Sequence, residues 1–533
     1  MHQLSPLDTA FLTMETPRQF GHVCSLVILD PSSSASGDVH ADLVRAFEAR
    51  RHQLGVYRRK LATVPFDLDR PYWVEDPDLD LDFHIRALAL PAPGDDEQLG
   101  EQVARIIARP LDRSRPLWEW YVISGLAGGR VGVLTKLHHA TIDGASGVEL
   151  IQLLLETEPD AAPPEPAPSD AAAVESLPSA ANLLARTAVG YATRPQKMVE
   201  LQVQLLRTAA RLTGNPVFRQ LALAAMPGLR ALRRRAGERP EGTVPPTLTA
   251  GSAPATPWNR AVTAHRRFAF RSLDLADAQA IKHAFGVTVN DVVLALCASA
   301  LRGYLDERDV LPTKPLVAMV PISVRQPGEG GEFTNRVTGT TVPIHTDLAD
   351  PAARLRAIHE SMAAAKELHE AIPATILTDV TEFVPPALAA QASRLSSRIR
   401  MADRMNPPFN LTISNVPGPR VPLYLGGAAM EHFYPVSVVA EGQGLNMTVQ
   451  SYLGRLDFGL VADRDLVPDL WDLCDGLDRA MRELLDAARP PVKRAPRTPA
   501  RGRGGRRVEA GGTAANGRRA APAGRRRPAA PQR

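Results

Sequence analysis

The sequence predicts an α+β fold in two folded units, followed by a basic tail with no core of its own. Strand-type and helix-type patterns are mixed without a regular βαβ alternation. Two Pro-rich stretches interrupt the apolar periodicity. That periodicity ends after Pro490. At 533 residues and 44% hydrophobic, the chain is too long for one core and long enough for two. The divisions fall at 1–158, 159–257, 258–490 and 491–533.

In the first unit, Val23, Ser25, Val27 and Leu29 alternate with Cys24, Leu26, Ile28 and Asp30, which predicts a strand. Residues 99–108 predict a short helix. Residues 118–126 and 131–138 predict two strands joined by Ala127-Gly128-Gly129-Arg130, a hairpin signal. Residues 147–156 predict a helix with Val148, Ile151, Leu154 and Leu155 on one face. Residues 160–178 are a Pro/Ala-rich linker. Residues 183–235 have a helical pattern, with ten Lys/Arg against one acid, Glu200; Pro195, Pro216 and Pro227 divide it. A Pro/Gly-rich connection, 236–257, follows.

In the second unit, helices are predicted at 273–285, 290–305, 355–368 and 466–488. The last keeps Leu470, Leu473, Leu477, Met481 and Leu484 in phase. Strands are predicted at 315–324, 409–416, 437–441, 445–453 and 455–461. The tail is low-complexity Arg, Gly, Pro and Ala, a composition that predicts disorder.

Charge is divided unevenly. From Lys493 onward, thirteen Lys/Arg against Glu509 give +12, so the +4 of the whole chain leaves −8 on the residues before them. Cys24, Cys297 and Cys474 stand far apart with no CxxC pair, which fits a reducing compartment. Asp8 and Glu15 interrupt any apolar stretch near the N-terminus, so no secretory signal is read. No apolar run approaches the roughly 18 residues of a membrane span. A cytoplasmic protein, soluble or peripheral on a membrane, is expected. No GxSxG elbow, P-loop or GxGxxG fingerprint is present.

One stretch concentrates chemistry. The strand 130–137 runs into His138-His139-Ala140-Thr141-Ile142-Asp143-Gly144. Asp143 can cap the following helix, and Gly144 permits a tight turn. A histidine at a strand end is held rigidly yet can face a cleft, as a general base requires. Taken alone, each histidine reads first as an ordinary surface or satisfied core residue. A His-His-Asp metal site lacks the further ligands that would complete it.

The string HHATIDG fits the HHxxxDG motif shared by chloramphenicol acetyltransferase, plant hydroxycinnamoyl-type acyltransferases and peptide-synthetase condensation domains. Its surroundings narrow the resemblance. Residues 110–119 (PLDRSRPLWE) resemble the PLDxxRPLWE block of bacterial wax ester synthase/diacylglycerol acyltransferases. Residues 4–12 (LSPLDTAFL) resemble that family's start, and 289–295 (VNDVVLA) its ND motif. VPISVR at 320–325 with Asn335-Arg336-Val337, and SNVPGP at 414–419, resemble two later blocks. The blocks appear in family order over residues 1–488. Arg18-Gln19-Phe20-Gly21-His22 departs from the family's usual Pro-Met-His-type sequence.

The resemblance implies two chloramphenicol-acetyltransferase-like domains with the active site in a channel between them. It implies acyl transfer from acyl-CoA, a substrate rather than a cofactor, to diacylglycerol or a fatty alcohol. His139 would then be the general base, His138 a supporting residue and Asp143 a loop-orienting one. Gly144 and Asp291 would support the motifs. Asn290 reads either as an oxyanion or substrate contact or as a helix N-cap, and Trp118 as structural. No metal is expected. The basic helical segment 183–235 and the tail fit contact with a membrane or lipid-droplet surface. The tail lacks the aromatic residues that stack on bases, so no specific nucleic-acid partner is expected. A polyketide or other alcohol acceptor, or a catalytically silent lipid-surface protein, are the alternatives. Oligomeric state is not legible in the sequence.

Overall fold

The computed structural model describes residues 1–141, 151, 153–161, 178–190, 253–323, 337–371 and 386–489. In chain order the strands are β1 (His2–Gln3), β2 (His22–Asp30), β3 (Arg59–Ala62), β4 (Tyr72–Glu75), β5 (Ile85–Ala89), β6 (Trp118–Ser124), β7 (Val131–His138), β8 (Arg266–Asp274), β9 (Val317–Ser323), β10 (Val337–Pro343), β11 (Leu411–Val416), β12 (Tyr424–Leu425), β13 (Ala428–Val436), β14 (Leu445–Tyr452) and β15 (Arg455–Asp463). They form one six-stranded sheet in the order β12-β13-β2-β7-β6-β5, a second in the order β10-β9-β11-β14-β15-β8, and a small sheet β1-β4-β3. With helices against both large sheets, the fold is α+β, as predicted.

The strands His22–Asp30 and Val131–His138 pair antiparallel, with His22 opposite His138. One face of this first sheet packs on the helix Val39–Arg50 through Leu43, Phe47, Trp118 and Trp120. The other face turns toward the second sheet, and Leu26, Leu134 and Tyr434 share a cluster with Phe268, Phe270 and Val461. The sheets approach so closely that a Cβ on Gly459 of β15 would lie 1.7 Å from the Pro435 carbonyl of β13. No residue with a side chain fits there. The second sheet is covered by the helices Val289–Asp306 and Leu470–Ala488, whose Leu296, Leu301, Leu473 and Leu477 are fully buried. Each such side chain contributes about 1.5–3 kcal/mol on leaving water. The described residues up to Arg489 belong to one compact unit.

The structure revises four points of the sequence reading. Residues 437–439 are not a strand; the strand lies just before, as β13. β13 pairs with β2 of the first sheet, so residues 424–436 of the second sequence unit complete the sheet of the first. β8 was not anticipated, yet it pairs with β15 along its whole length. The helix expected over 147–156 has ended by residue 153, and Glu156 instead forms a bridge to Tyr424. Glu156 Oε1 also accepts from Arg50 Nη2 at 2.7 Å.

Residues 180–190 are helical, and Leu183 packs with Val64 and Tyr72. The rest of the basic segment, the Pro/Ala linker and the tail lie outside the described residues. Among the described residues no single helix is long and apolar enough to cross a membrane. The bent pair Leu275–Phe285 and Val289–Asp306 is apolar enough by composition, but its second helix is core.

Candidate active site

β7, a central strand of the first sheet, carries the histidine pair at its C-terminal end. The His138 N–H donates to the Leu117 carbonyl at 3.0 Å, and the His139 N–H donates to the Gly21 carbonyl at 2.7 Å. The backbone on both sides of the pair is therefore fixed by strand neighbours. His138 is fully buried, whereas His139 is half-buried. The His139 ring stacks on Phe11, with centroids 4.0 Å apart and planes 11° from parallel. Phe11 belongs to the helix Pro6–Thr13, which is capped by the Ser5 hydroxyl accepting from Asp8 N–H.

The His138 ring is bracketed by polar groups. Its Nδ1 accepts from the Ala140 N–H at 3.0 Å, so the ring proton sits on Nε2. Nε2 lies 3.2 Å from Glu15 Oε1. Glu15 Oε1 also accepts from Gly21 N–H at 2.7 Å, and its Oε2 accepts from Arg113 Nη2 at 2.6 Å. Burial pushes this carboxyl up, but the His138 imidazole, the Gly21 N–H and the Arg113 guanidinium outweigh burial and hold it at about 2. A Cβ at Gly21 would lie 2.8 Å from His138 Nε2 and 3.0 Å from the Phe11 carbonyl. Only glycine lets the chain pass between helix and histidine. The stretch 18–22 that departs from the family pattern is thus the wall against which the histidine pair is set.

This arrangement carries a pH prediction. The folded Glu15 has its pKa depressed below the ordinary 4.5. Its contribution is therefore complete above about pH 4.5 and is lost as pH falls toward 2. In magnitude it is about 3 kcal/mol. Denaturant melts of Glu15→Gln against wild type are expected to differ by that order at pH 6 and to converge as pH approaches 2. A constant gap over this range would contradict the assignment.

The strand behind the site is anchored by a buried cation. Lys136 is fully buried; its Nζ donates to the Arg109 carbonyl at 2.8 Å and the Ile106 carbonyl at 3.3 Å, and lies 3.3 Å from Glu119 Oε2. Glu119 Oε2 also accepts from Tyr121 OH at 2.7 Å, and Oε1 from Arg86 at 3.3 Å. Burial lowers the Lys136 pKa, and Glu119 works against that. Trp118 is structural, as expected: its Nε1 donates to the Tyr57 carbonyl at 2.8 Å inside the aromatic cluster.

A second cluster stands on the second sheet. Asn290 is not the N-cap of its helix. Thr288 is, closing a capping box with Asp291. The helix therefore starts one residue earlier than its polar pattern implied, which frees the Asn290 side chain from capping. Half-buried, its Oδ1 accepts from Asn415 Nδ2 of β11 at 3.4 Å. The ND and SNVPGP blocks, 125 residues apart, thus meet. Asp291 is buried and pairs with His359 Nδ1 at 2.7 Å, which makes it a support of the helix start. Asp143 and Gly144 lie outside the described residues.

Sequence reasoning missed Glu15, Gly21, Asn415 and His359 as site residues. Glu15 had been read only as a charge interrupting an apolar stretch. Its signal was a carboxylate just beyond the opening block. Cys24 and Cys474 are buried, with thiols pushed up to about 12, and burial also raises the Cys297 thiol, so none is an activated nucleophile.

Residues 4–293 match the wax ester synthase/diacylglycerol acyltransferase catalytic domain, and 333–485 match the family's C-terminal domain. A putative diacylglycerol O-acyltransferase of Mycobacterium tuberculosis is 36% identical over 92% of this chain and 91% of its own length. A probable diacylglycerol O-acyltransferase of the same organism is 35% identical over 91% and 99%. The solved wax ester synthase/diacylglycerol acyltransferase of Marinobacter aquaeolei is similar in fold, with a TM-score of 0.61, 30% identity, and coverage of 91% of this chain and 99% of that one. The first condensation domain of a calcium-dependent antibiotic synthetase, 15% identical with a TM-score of 0.51 and coverage of 92% and 97%, shares the fold. The chain belongs to the wax ester synthase/diacylglycerol acyltransferase family.

Proposed function

We propose that this acyltransferase uses His139 as the general base that moves a long acyl chain from acyl-CoA to the free hydroxyl of diacylglycerol, with a fatty alcohol as a second acceptor. The observation that carries the reading is the half-buried His139 at a strand end, its backbone fixed by Gly21 and its ring plane set by Phe11. The acceptor hydroxyl gives its proton to His139 as the oxygen attacks the thioester carbonyl. The tetrahedral intermediate collapses, the C–S bond breaks, and the thiolate of CoA takes the proton back from the imidazolium. Asn290, held by Asn415, is the candidate donor to the oxyanion or the substrate. Glu15 and His138 keep the strand end in register, and Asp143 orients the loop that follows. The protein works in the cytoplasm, peripherally on the inner membrane or a lipid droplet.

The test is direct. Purified protein is incubated with palmitoyl-CoA and either diacylglycerol or hexadecanol, and free CoA and the lipid product are measured. Triacylglycerol is expected with the first acceptor and wax ester with the second. No CoA release with either would overturn the reading.

A further inference from the structure

Among the described residues, Val310, Val421 and Leu453 are exposed apolar side chains elsewhere in the chain, but a larger set lies together. Phe66 is 85% exposed, Met405 64%, Leu395 59% and Leu388 58%. They gather around one helix, Pro386–Arg398. The turn Pro65–Asp67 packs against this helix and brings Phe66, with exposed Leu68 beside it. Phe66 sits at φ 59°, a left-handed conformation uncommon for a bulky residue, with its ring in solvent. On another flank, Ser393 Oγ donates to the carbonyl of exposed Met14 at 3.2 Å, and the helix Pro6–Thr13 packs alongside. Beyond its C-terminus the chain continues through exposed Ile399, Met401 and Met405. The helix 180–190 reaches the same region, with Leu183 against Val64 and Tyr72 and Gly190 beside Asp69.

Isolated exposed apolar residues need no explanation, but a gathered patch does. Its charge indicates the partner. Residues 394–405 carry Arg394, Arg398, Arg400 and Arg404, all exposed, against Asp403, which pairs with Arg400, and exposed Asp67 stands beside Phe66, so the cations outnumber these acids. Apolar side chains set among guanidinium groups match the headgroup boundary of an anionic lipid layer, where rings and aliphatic chains enter and cations meet phosphate. Position supplies the second argument. The helix Pro6–Thr13 touches the patch on one side and, through Phe11, the His139 ring on the other.

We propose that this face, centred on Pro386–Arg398 with Phe66, Leu395 and Met405 as its inserting side chains, seats the protein on an anionic lipid surface next to the catalytic histidine. The proposal deepens the acyl-transfer reading and rests on it for its purpose, but not for the binding itself.

The test compares the full chain with the triple variant Phe66→Gln, Leu395→Gln, Met405→Gln. Both are floated with vesicles of dioleoylphosphatidylcholine and dioleoylphosphatidylglycerol, in about 0.5 M salt to screen the basic tail. These side chains already face water, so melting and circular dichroism should not change. The lipid partition coefficient is expected to fall about ten-fold or more, while transfer from a short-chain acyl-CoA to a soluble alcohol stays at the wild-type rate. Unchanged flotation would overturn the proposal. So would unchanged flotation with a shift from dimer to monomer in light scattering, which would make the face a contact between two copies. Wild-type protein that floats but transfers no acyl group to any acceptor would sink the enzymatic reading and leave the lipid surface standing.

Discussion

Replacing His139 by alanine is expected to lower kcat by about 10²–10⁴-fold, the usual share of a positioned general base. The fold should survive. The backbone hydrogen bond from His139 N–H to the Gly21 carbonyl does not need the side chain, and β7 ends at His138. The ring contributes a stack on Phe11, whose loss costs about 0.5–1.5 kcal/mol. A small stability change with a large rate change is therefore the signature. KM for palmitoyl-CoA should move little, because the imidazole acts on the acceptor's proton. Urea melts and steady-state kinetics on one preparation test both halves. A variant with wild-type kcat would remove His139 from the mechanism.

Replacing Lys136 by alanine is expected to produce the opposite signature, a loss of about 3–5 kcal/mol in stability. Lys136 is wholly buried and joins two carbonyls of the 106–109 turn to Glu119. Its removal leaves Glu119 inside the sheet with only Tyr121 OH and Arg86. The double variant with Glu119→Gln should recover part of the loss, because the abandoned charge is then gone. Denaturant midpoints at an unchanged slope would measure this. A single-variant loss below about 1 kcal/mol would show that the buried cation is not what holds β7 to that turn.

These two results draw on different depths of the sequence. The closing helix Leu470–Ala488 was legible because its apolar residues recur with a period near 3.6 and bury one face, whereas β7 and the helix Val289–Asp306 were legible as apolar runs and are buried nearly all round. β13 was not legible. Residues 428–436 include Pro435, a bulge between Met430 and His432, and a partner strand about four hundred residues away. Local pattern contains no term for a partner that distant. The expected strand at 437–441 reflected apolar Val438 and Val439; Val439 is buried in the cluster between the sheets without joining a ladder. The same limit applied to the site. His139 was found through its motif and strand, while Glu15, Gly21 and Asn415 act only through contacts that the fold creates. Asn290 reads from the sequence either as an oxyanion or substrate contact or as a helix N-cap, and the structure gives the capping role to Thr288.

Direct attack by an acceptor that His139 activates leaves no acyl group on the protein at any stage. Rapid mixing of enzyme with palmitoyl-CoA alone tests this. No burst of free CoA is expected until diacylglycerol is added, after which CoA and triacylglycerol appear together. A burst stoichiometric with enzyme before any acceptor is present would reveal an acyl-enzyme and contradict it.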